Sequence, residues 1–185
     1  MFHRSERLFL RPPFPEDSRE VYNGICDAGV VAMLASAPWP YRMADAEQWC
    51  ARDFDPKTPR FLITRPDAPG AAVVGCIGLH EEEDGVEMGY WIARDHWGQG
   101  YATEAGRSVI EIARALGHRK VLAGHYTDNP ASGRVLRKIG FRETGEVRPA
   151  FCRARGGEMV LSRRYTVDLE AAEGGEFDAE QMRAA

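Results

Sequence analysis

The stretch that decides the fold is Trp91-Ile92-Ala93-Arg94-Asp95-His96-Trp97-Gly98-Gln99-Gly100-Tyr101-Ala102-Thr103-Glu104-Ala105. An alternating apolar run, Val86, Met88, Tyr90 and Ile92, leads into it and reads as a half-buried strand. A short polar turn with two glycines one residue apart follows, and then a long amphipathic pattern begins. The first turn of a helix carries unpaired N–H groups and the positive end of the macrodipole, so it binds anions, phosphates above all. Glycine lets the backbone come close to such a ligand and adopt turn dihedrals that a Cβ would forbid. The stretch therefore predicts strand, turn and helix start around a phosphorylated ligand.

Composition narrows the class. A chain of 185 residues fits one domain with a real core, and 44% hydrophobic with 28% charged residues is ordinary for a soluble globular protein. The formal charge of −4 argues against a general nucleic-acid binder, which needs a basic balance or face. Cys26, Cys50, Cys76 and Cys152 are scattered, with no metal-type Cys/His cluster. They read as reduced, buried thiols of a cytoplasmic protein, and no metal is expected. Residues 1–6 are charged and lack the apolar segment of a signal peptide. No run approaches the roughly 18 apolar residues that span a bilayer, so no membrane partner is expected.

Outward from the central stretch, residues 7–11 read as a first strand stopped by Pro12 and Pro13. Pro15, Glu16 and Asp17 suit a helix start, with Val21, Tyr22 and Ile25 as its apolar face and Gly29 as its breaker. A short helical turn over 30–34 precedes a proline-rich loop expected to expose Trp39 and Tyr41. Residues 44–54 read as a helix, 60–65, 71–80 and 86–93 as strands, the last two joined at Asp84-Gly85 in an antiparallel hairpin. Its acidic tip, Glu81 to Asp84, reads as a solvated turn. Beyond the glycines, Ala102, Ala105, Val109, Ile112, Ala113 and Leu116 form one stripe, with Glu104, Arg107, Glu111 and Arg114 opposite and an Arg107–Glu111 pair. Gly117 ends that helix. Residues 120–126 read as a strand, Asp128-Asn129-Pro130 as a capped helix start, and 141–147 and 158–167 as closing strands. The fold class is α+β with a mixed sheet, its strand–helix–strand unit a right-handed parallel crossover. Residues 1–169 form the single domain, and the Ala-, Gly- and Glu-rich residues 170–185 read as a disordered tail.

The ordered set Glu87 to Ile92, Trp97 to Ala105, Asn129-Pro130-Ala131-Ser132 and Lys138 to Phe141 resembles the GNAT superfamily of acetyl-CoA-dependent N-acetyltransferases. The opening Glu6 to Arg11, with Pro15-Glu16-Asp17 after it, is similar to the ribosomal-protein (Rim-type) branch. The resemblance covers roughly residues 5–167 and implies the GNAT fold, a mixed, mostly antiparallel sheet whose central strands splay around acetyl-CoA. Where the family's phosphate motif opens with Gln or Arg, this chain has Trp97. The resemblance further implies acetyl transfer to a primary amine by direct attack in a ternary complex. The amides from Gly98 through Gln99, Gly100, Tyr101 and Ala102 to Thr103, with Trp97 beside them, would hold the pyrophosphate. Strand backbone at Tyr90, Trp91 and Ile92, with Asn129, would hold the pantetheine.

Glu87 stands where relatives carry a general base or a water-holding carboxylate, and an ion-paired strand glutamate is its other reading. His80 and His125 are the alternatives. Ser132 matches a position that protonates the leaving thiolate in Rim-type relatives, or else bonds its own helix backbone. Asn129 binds pantetheine or caps its helix, and Asp128 is a second capping candidate. The arginines at 148, 153, 155, 163 and 164 suit an acidic acceptor or are solvated. A non-catalytic acyl-CoA sensor of the same fold is the rival function. A Rossmann domain is poorly supported, because no full G-x-G-x-x-G occurs. The chain is expected to act as a monomer or a homodimer, on an amine that the sequence does not name.

Overall fold

The computed structural model describes residues 1–53 and 55–169. In chain order the elements are β1 (His3–Arg4), β2 (Phe9–Arg11), α1 (Ser18–Ile25), α2 (Ala28–Val31), α3 (Met43–Cys50), β3 (Arg60–Thr64), β4 (Val73–Glu82), β5 (Gly85–Ile92), α4 (Tyr101–Ala115), β6 (Lys120–Tyr126), α5 (Pro130–Ile139), β7 (Arg142–Cys152) and β8 (Glu158–Asp168). They build one sheet in the order β1-β2-β3-β4-β5-β6-β8-β7, antiparallel except between β5 and β6. The segment expected to be a disordered tail lies outside the described residues.

Period-two alternation divides the strands between two cores. Phe61, Ile63, Ile77, Met88 and Val121 face the layer of α4 and α5, where Ala105, Val109 and Ala113 are fully buried. Leu62 and Cys76 face α1, α2 and α3, which contribute Val21, Ile25, Val31, Ala46 and Cys50. Gly106 of α4 has no room for a Cβ against Ile139 of α5, so the missing side chain sets how closely the two helices approach.

Several expectations are corrected. Helix α1 ends at Ile25, ahead of Gly29, because Asp27 accepts the Val30 N–H at 2.9 Å and starts α2. Tyr41 is buried, 6% exposed and 6.4 Å from the Tyr22 ring, while Trp39 alone of the pair stands out at 45%. Arg107 reaches the Lys138 carbonyl at 3.4 Å and Glu111 lies 3.9 Å from His3, so each pairs across the fold rather than with the other. The strand β1 was not anticipated; it pairs only His3 with Leu10 and Arg4 with Phe9. Cys26 is half-buried, whereas the other three thiols are buried as expected.

Glu104 is the correction that bears on function. Rather than lying on a solvated helix face, it accepts hydrogen bonds from Ser5 Oγ at 2.7 Å, the Arg7 N–H at 2.8 Å and Arg7 Nε at 2.8 Å. Arg7 also donates to the Gln99 carbonyl at 3.1 Å, so the N-terminal segment is tied to the glycine turn. Burial alone would raise the Glu104 carboxyl, but these donors outweigh it and hold it below its ordinary value. A depressed carboxylate stabilises the fold above its unfolded pKa, near 4.3, and loses that contribution as pH falls through the folded value. Glu104→Gln should therefore lower Tm by a few degrees at pH 7, roughly 1–2 kcal/mol of charged hydrogen bonding. The gap to the native protein should close below about pH 4, read by thermal melts across pH.

Candidate active site

Strands β5 and β6 are parallel partners at a single register position, Glu87 with Leu122. Each is held along its outer side: β5 pairs with β4 from Gly85 to Ile92, and β6 pairs with β8 from Lys120 to Tyr126. Past Glu87 the inner edges have no register partner in each other, and a cleft opens between them with strand N–H and C=O groups on its walls.

An ion pair stitches the apex of that cleft. Arg164 of β8 sits opposite Gly124 of β6 and reaches across it to Glu87 of β5. Its Nη1 donates to Oε1 at 3.1 Å and its Nη2 to Oε2 at 2.5 Å. A Cβ on Gly124 would lie 2.6 Å from Arg164 Nη1, so only glycine lets the guanidinium cross. The side chains are 10% and 15% exposed, which makes the pair largely desolvated and its bidentate geometry necessary. Glu87 thus takes the ion-paired reading, and Arg164 is not a solvated arginine.

The walls of the cleft are joined further out. The Tyr90 hydroxyl lies 2.9 Å from Ser132 Oγ, linking β5 to the first turn of α5. Burial pushes the Tyr90 phenol up to about 12, against the opposing effect of the Ser132 hydrogen bond, so it stays a neutral hydroxyl at physiological pH. Asn129 is the helix cap: its Oδ1 accepts the Ser132 N–H at 3.2 Å. Asp128 therefore does not cap. It pairs with Arg155 through contacts of 2.6 and 3.2 Å, which hold its carboxyl below the usual range.

Arg155 also donates to the Ala32 carbonyl at 2.8 Å, and the buried Cys152 thiol donates to the carbonyls of Ala32 and Leu34. The turn between β7 and β8 thereby clasps the chain leading into the loop that carries Trp39. His125 is internal: Nδ1 lies 2.7 Å from the Tyr126 carbonyl and Nε2 lies 3.2 Å from the Tyr165 hydroxyl. His80 is instead half exposed, opposite Glu87 on β4, with Nε2 3.3 Å from Glu82. One ring nitrogen of His80 and one oxygen each of Glu82 and Glu87 lie within 4.8 Å of one another. At the hairpin tip Asp84 pairs with Arg148 at 2.8 Å, so the acidic turn is exposed but not free of partners.

At the far end of β5 lies the glycine turn. Gly98 and Gly100 have φ of +76° and +82°, the left-handed region where a Cβ is strained. Gly100 is the N-cap of α4, and its carbonyl accepts the N–H groups of Thr103 and Glu104 at 3.1 Å each. By helix geometry the amides just ahead of these point out of the helix end, where an anion is favoured. Trp97 does not stand in for a cationic phosphate ligand. Its Nε1 donates to the Ile92 carbonyl at 2.7 Å and its ring lies under the Arg94 guanidinium at 4.3 Å, so it closes the turn. Gln99 donates to the Asp95 carbonyl at 3.2 Å. The Tyr101 side chain is buried beneath Arg7, and Ile92 in the core, so neither side chain faces the turn; Ala102 and Thr103 are half-buried. Trp91 packs toward Gly24 of α1. Beside the turn, on the α1 side, an open cavity of about 280 Å³ is lined by Glu20, Asn23, Ala93, Asp95 and His96 among others; it is separate from the cleft between β5 and β6.

Sequence reasoning named Arg164 and Arg155 but missed their partners, since Arg164 lies 77 residues from Glu87 and Arg155 lies 27 from Asp128. Only the register of β8 on β6 and the fold of the turn after β7 bring them together, whereas Glu82, read as part of a solvated turn, shares a strand face with His80 two residues before it, a spacing that could have marked it.

Residues 7–142 match the family described as Acetyltransferase (GNAT) domain, and the chain belongs to that family of acetyltransferases. The sheet of eight strands flanked by helices is the GNAT fold. Among curated relatives, the Bacillus subtilis protein named Uncharacterized N-acetyltransferase YoaA is 38% identical over 93 residues, 48% of this chain and 51% of the relative. The match thus spans about half the length of that relative. The GNAT-family acetyltransferase structure from Bacillus anthracis superposes with a TM-score of 0.77 at 23% identity, covering 92% of this chain and all of the other. The microcin C7 self-immunity acetyltransferase MccE, solved in complex with acetyl-CoA and AMP, gives a TM-score of 0.74 at 16% identity over 89% of this chain and 93% of its own. Among the described residues no helix is long and apolar enough to cross a membrane.

The turn tests the fit of a CoA pyrophosphate directly. Nothing lies within 4 Å of where a Gly98 Cβ would stand, which leaves the backbone open to a ligand. Gly100→Ala should weaken acetyl-CoA binding about tenfold, since holding alanine at positive φ costs roughly 1–2 kcal/mol and shifts the turn. Titration calorimetry checks this, and an unchanged Kd would remove the turn from the donor site.

Proposed function

We propose that the chain is an acetyl-CoA-dependent N-acetyltransferase that moves an acetyl group to a primary amine, a protein N-terminus or a small-molecule amine, by direct attack in a ternary complex. The observation that carries this reading is the cleft held open past the single β5–β6 pairing, with the glycine turn at its far end and Ser132 on its wall. Acetyl-CoA supplies the acetyl thioester. The chain's part is to hold it, to place it and to move protons. The amides from Gly98 to Thr103 would take the pyrophosphate, each charged hydrogen bond worth about 1.5–3 kcal/mol. Asn129 spends its carbonyl oxygen on the Ser132 N–H, which leaves its NH2 as the donor for pantetheine. The strand backbone at Tyr90, Trp91 and Ile92 would orient the thioester, and a strand N–H would stabilise the tetrahedral oxyanion.

Ser132 is suited to protonate the departing thiolate, because the neutral Tyr90 phenol 2.9 Å away replaces the proton that Ser132 gives up. Glu87 has both oxygens held by Arg164 at the apex and shapes the cleft from there. An α-amino acceptor, with pKa near 8, is about a tenth neutral at pH 7, so it needs less help from a base than a lysine near 10.4 does. The Rim-type likeness of the N-terminal residues favours that acceptor class. The free thiols are consistent with a reducing, cytoplasmic setting.

The test is CoA release from acetyl-CoA across a panel of amines and N-terminal peptides. At least one amine should release thiol, and acetyl-CoA should raise Tm. Ser132→Ala should lower kcat by about 10²-fold while acetyl-CoA affinity stays within a few-fold of native. Binding without turnover on any amine would instead favour the acyl-CoA sensor.

A further inference from the structure

Protonated amines are not nucleophiles, so a transferase acting near neutral pH needs a proton acceptor at the acceptor side of the cleft. Glu87 is poorly placed to serve, since Arg164 occupies both of its oxygens. Its cross-strand neighbour is better placed. His80 pairs with Glu87 across β4 and β5, so both side chains stand on the same face of the hairpin. That face also carries Gly89, Trp91 and Cys76, and Trp91 and Cys76 pack toward the α1–α3 layer, opposite the core beneath α4 and α5. The His80 Nε2 lies 3.3 Å from Glu82 Oε1. The rest of the ring leans over exposed Gly89, whose missing Cβ would stand 3.5 Å from Cε1 and 3.9 Å from Nδ1. The second ring nitrogen therefore overlooks bare backbone just past the point where β5 parts from β6.

We propose that His80, oriented by Glu82, accepts the proton of the acceptor amine over the gap left by Gly89. This assignment rests on the N-acetyltransferase reading and adds to it the residue that prepares the nucleophile. The ammonium form of the acceptor gives one proton to His80 Nδ1. The freed nitrogen lone pair forms the N–C bond to the acetyl carbonyl carbon, and the C–S bond breaks with its electrons on sulfur. The nitrogen of the tetrahedral adduct gives its second proton to solvent water as the thiolate gains one from Ser132, and the Ser132 proton is restored through Tyr90 from solvent, so amide and CoA thiol leave neutral and both hydroxyls end as they began. His80, half exposed at 50%, returns its proton to solvent. The charged groups around it are Glu82 on β4, Glu87 on β5 with Arg164 behind it, Asp84 with Arg148 at the hairpin tip, and Arg60 on β3 beside Gly78; on α1, Glu20 lies at the far end of β4. Glu82 is a positioning residue, holding the ring by its other nitrogen.

Native protein, His80→Gln and Glu82→Gln are compared by CoA release with an amine that the native protein acetylates, from pH 6 to about 9.5. His80→Gln should lower kcat about 100-fold at pH 7, with acetyl-CoA affinity and Tm unchanged, and the deficit should shrink as pH nears the amine's own pKa. Glu82→Gln should lower kcat severalfold with acetyl-CoA affinity and Tm unchanged, and should add nothing further in a His80→Gln background, a non-additivity that a merely structural role would not produce. His80→Gln within threefold of native, with the same profile, overturns the assignment. Activity abolished by a chelator and restored by a divalent cation also overturns it, making His80, Glu82 and Glu87 a metal set instead. A native protein silent toward every amine sinks the parent reading and this one together; an active native protein with an active His80→Gln sinks this one alone.

Discussion

The reach of Arg164 over Gly124 to Glu87 is the contact on which the rest of the site depends. It joins three neighbouring strands, β8, β6 and β5, at the one place where the two central strands are still partners. Two strands that part company leave unpaired backbone groups and a break in the sheet, a costly arrangement unless something holds the two sides in register. The antiparallel partners on the outer sides supply most of that hold, and the guanidinium pins the apex. A single-residue change at Gly124 would block the crossing and leave a buried carboxylate without its partner, the kind of loss that costs several kcal/mol.

Around this apex the structure puts the candidate donor-binding and acceptor-side residues on opposite faces of the sheet. The glycine turn and the first turn of α5 lie toward the layer of α4 and α5, and the hydroxyls of Tyr90 and Ser132 meet between them. The face of Glu87, Gly89 and Trp91 lies toward α1, α2 and the Trp39 loop. Arg155 connects the two regions, holding Asp128 beside the Asn129 cap and the Ala32 carbonyl ahead of the loop. In the proposed reaction a thioester presented from one face would meet an amine arriving from the other, and geometry would replace a bimolecular encounter with an oriented one.

The elements of the fold were legible wherever periodicity was long. The stripe of α4, the β4–β5 hairpin and the caps at Gly117 and Asn129-Pro130 follow from residue spacing and turn chemistry. Short elements were less so. Two-residue β1 has no period of its own and exists because β2 offers it an edge. Tyr41 is aromatic in a proline-rich loop by sequence, and only the packing of α1 against α3 decides that it turns inward while Trp39 does not.

The sequence by itself determined the strand, glycine turn and helix start, because helix starts and glycine dihedrals are local properties that a few adjacent residues specify. It also supplied the candidates Glu87, His80, Asn129 and Ser132, since each sits at a strand end or helix start that the local pattern marks. Tertiary structure alone decided their partners. Glu87 and Arg164 are seventy-seven residues apart and meet only because β6 lies between their strands. Glu104 looked solvated until the N-terminal segment folded over it, and Trp97 looked like a lost phosphate contact until its indole closed the turn on Ile92. Hydrogen bonds and ion pairs between distant strands depend on register, and register is settled by how the whole sheet packs rather than by any residue's own preference.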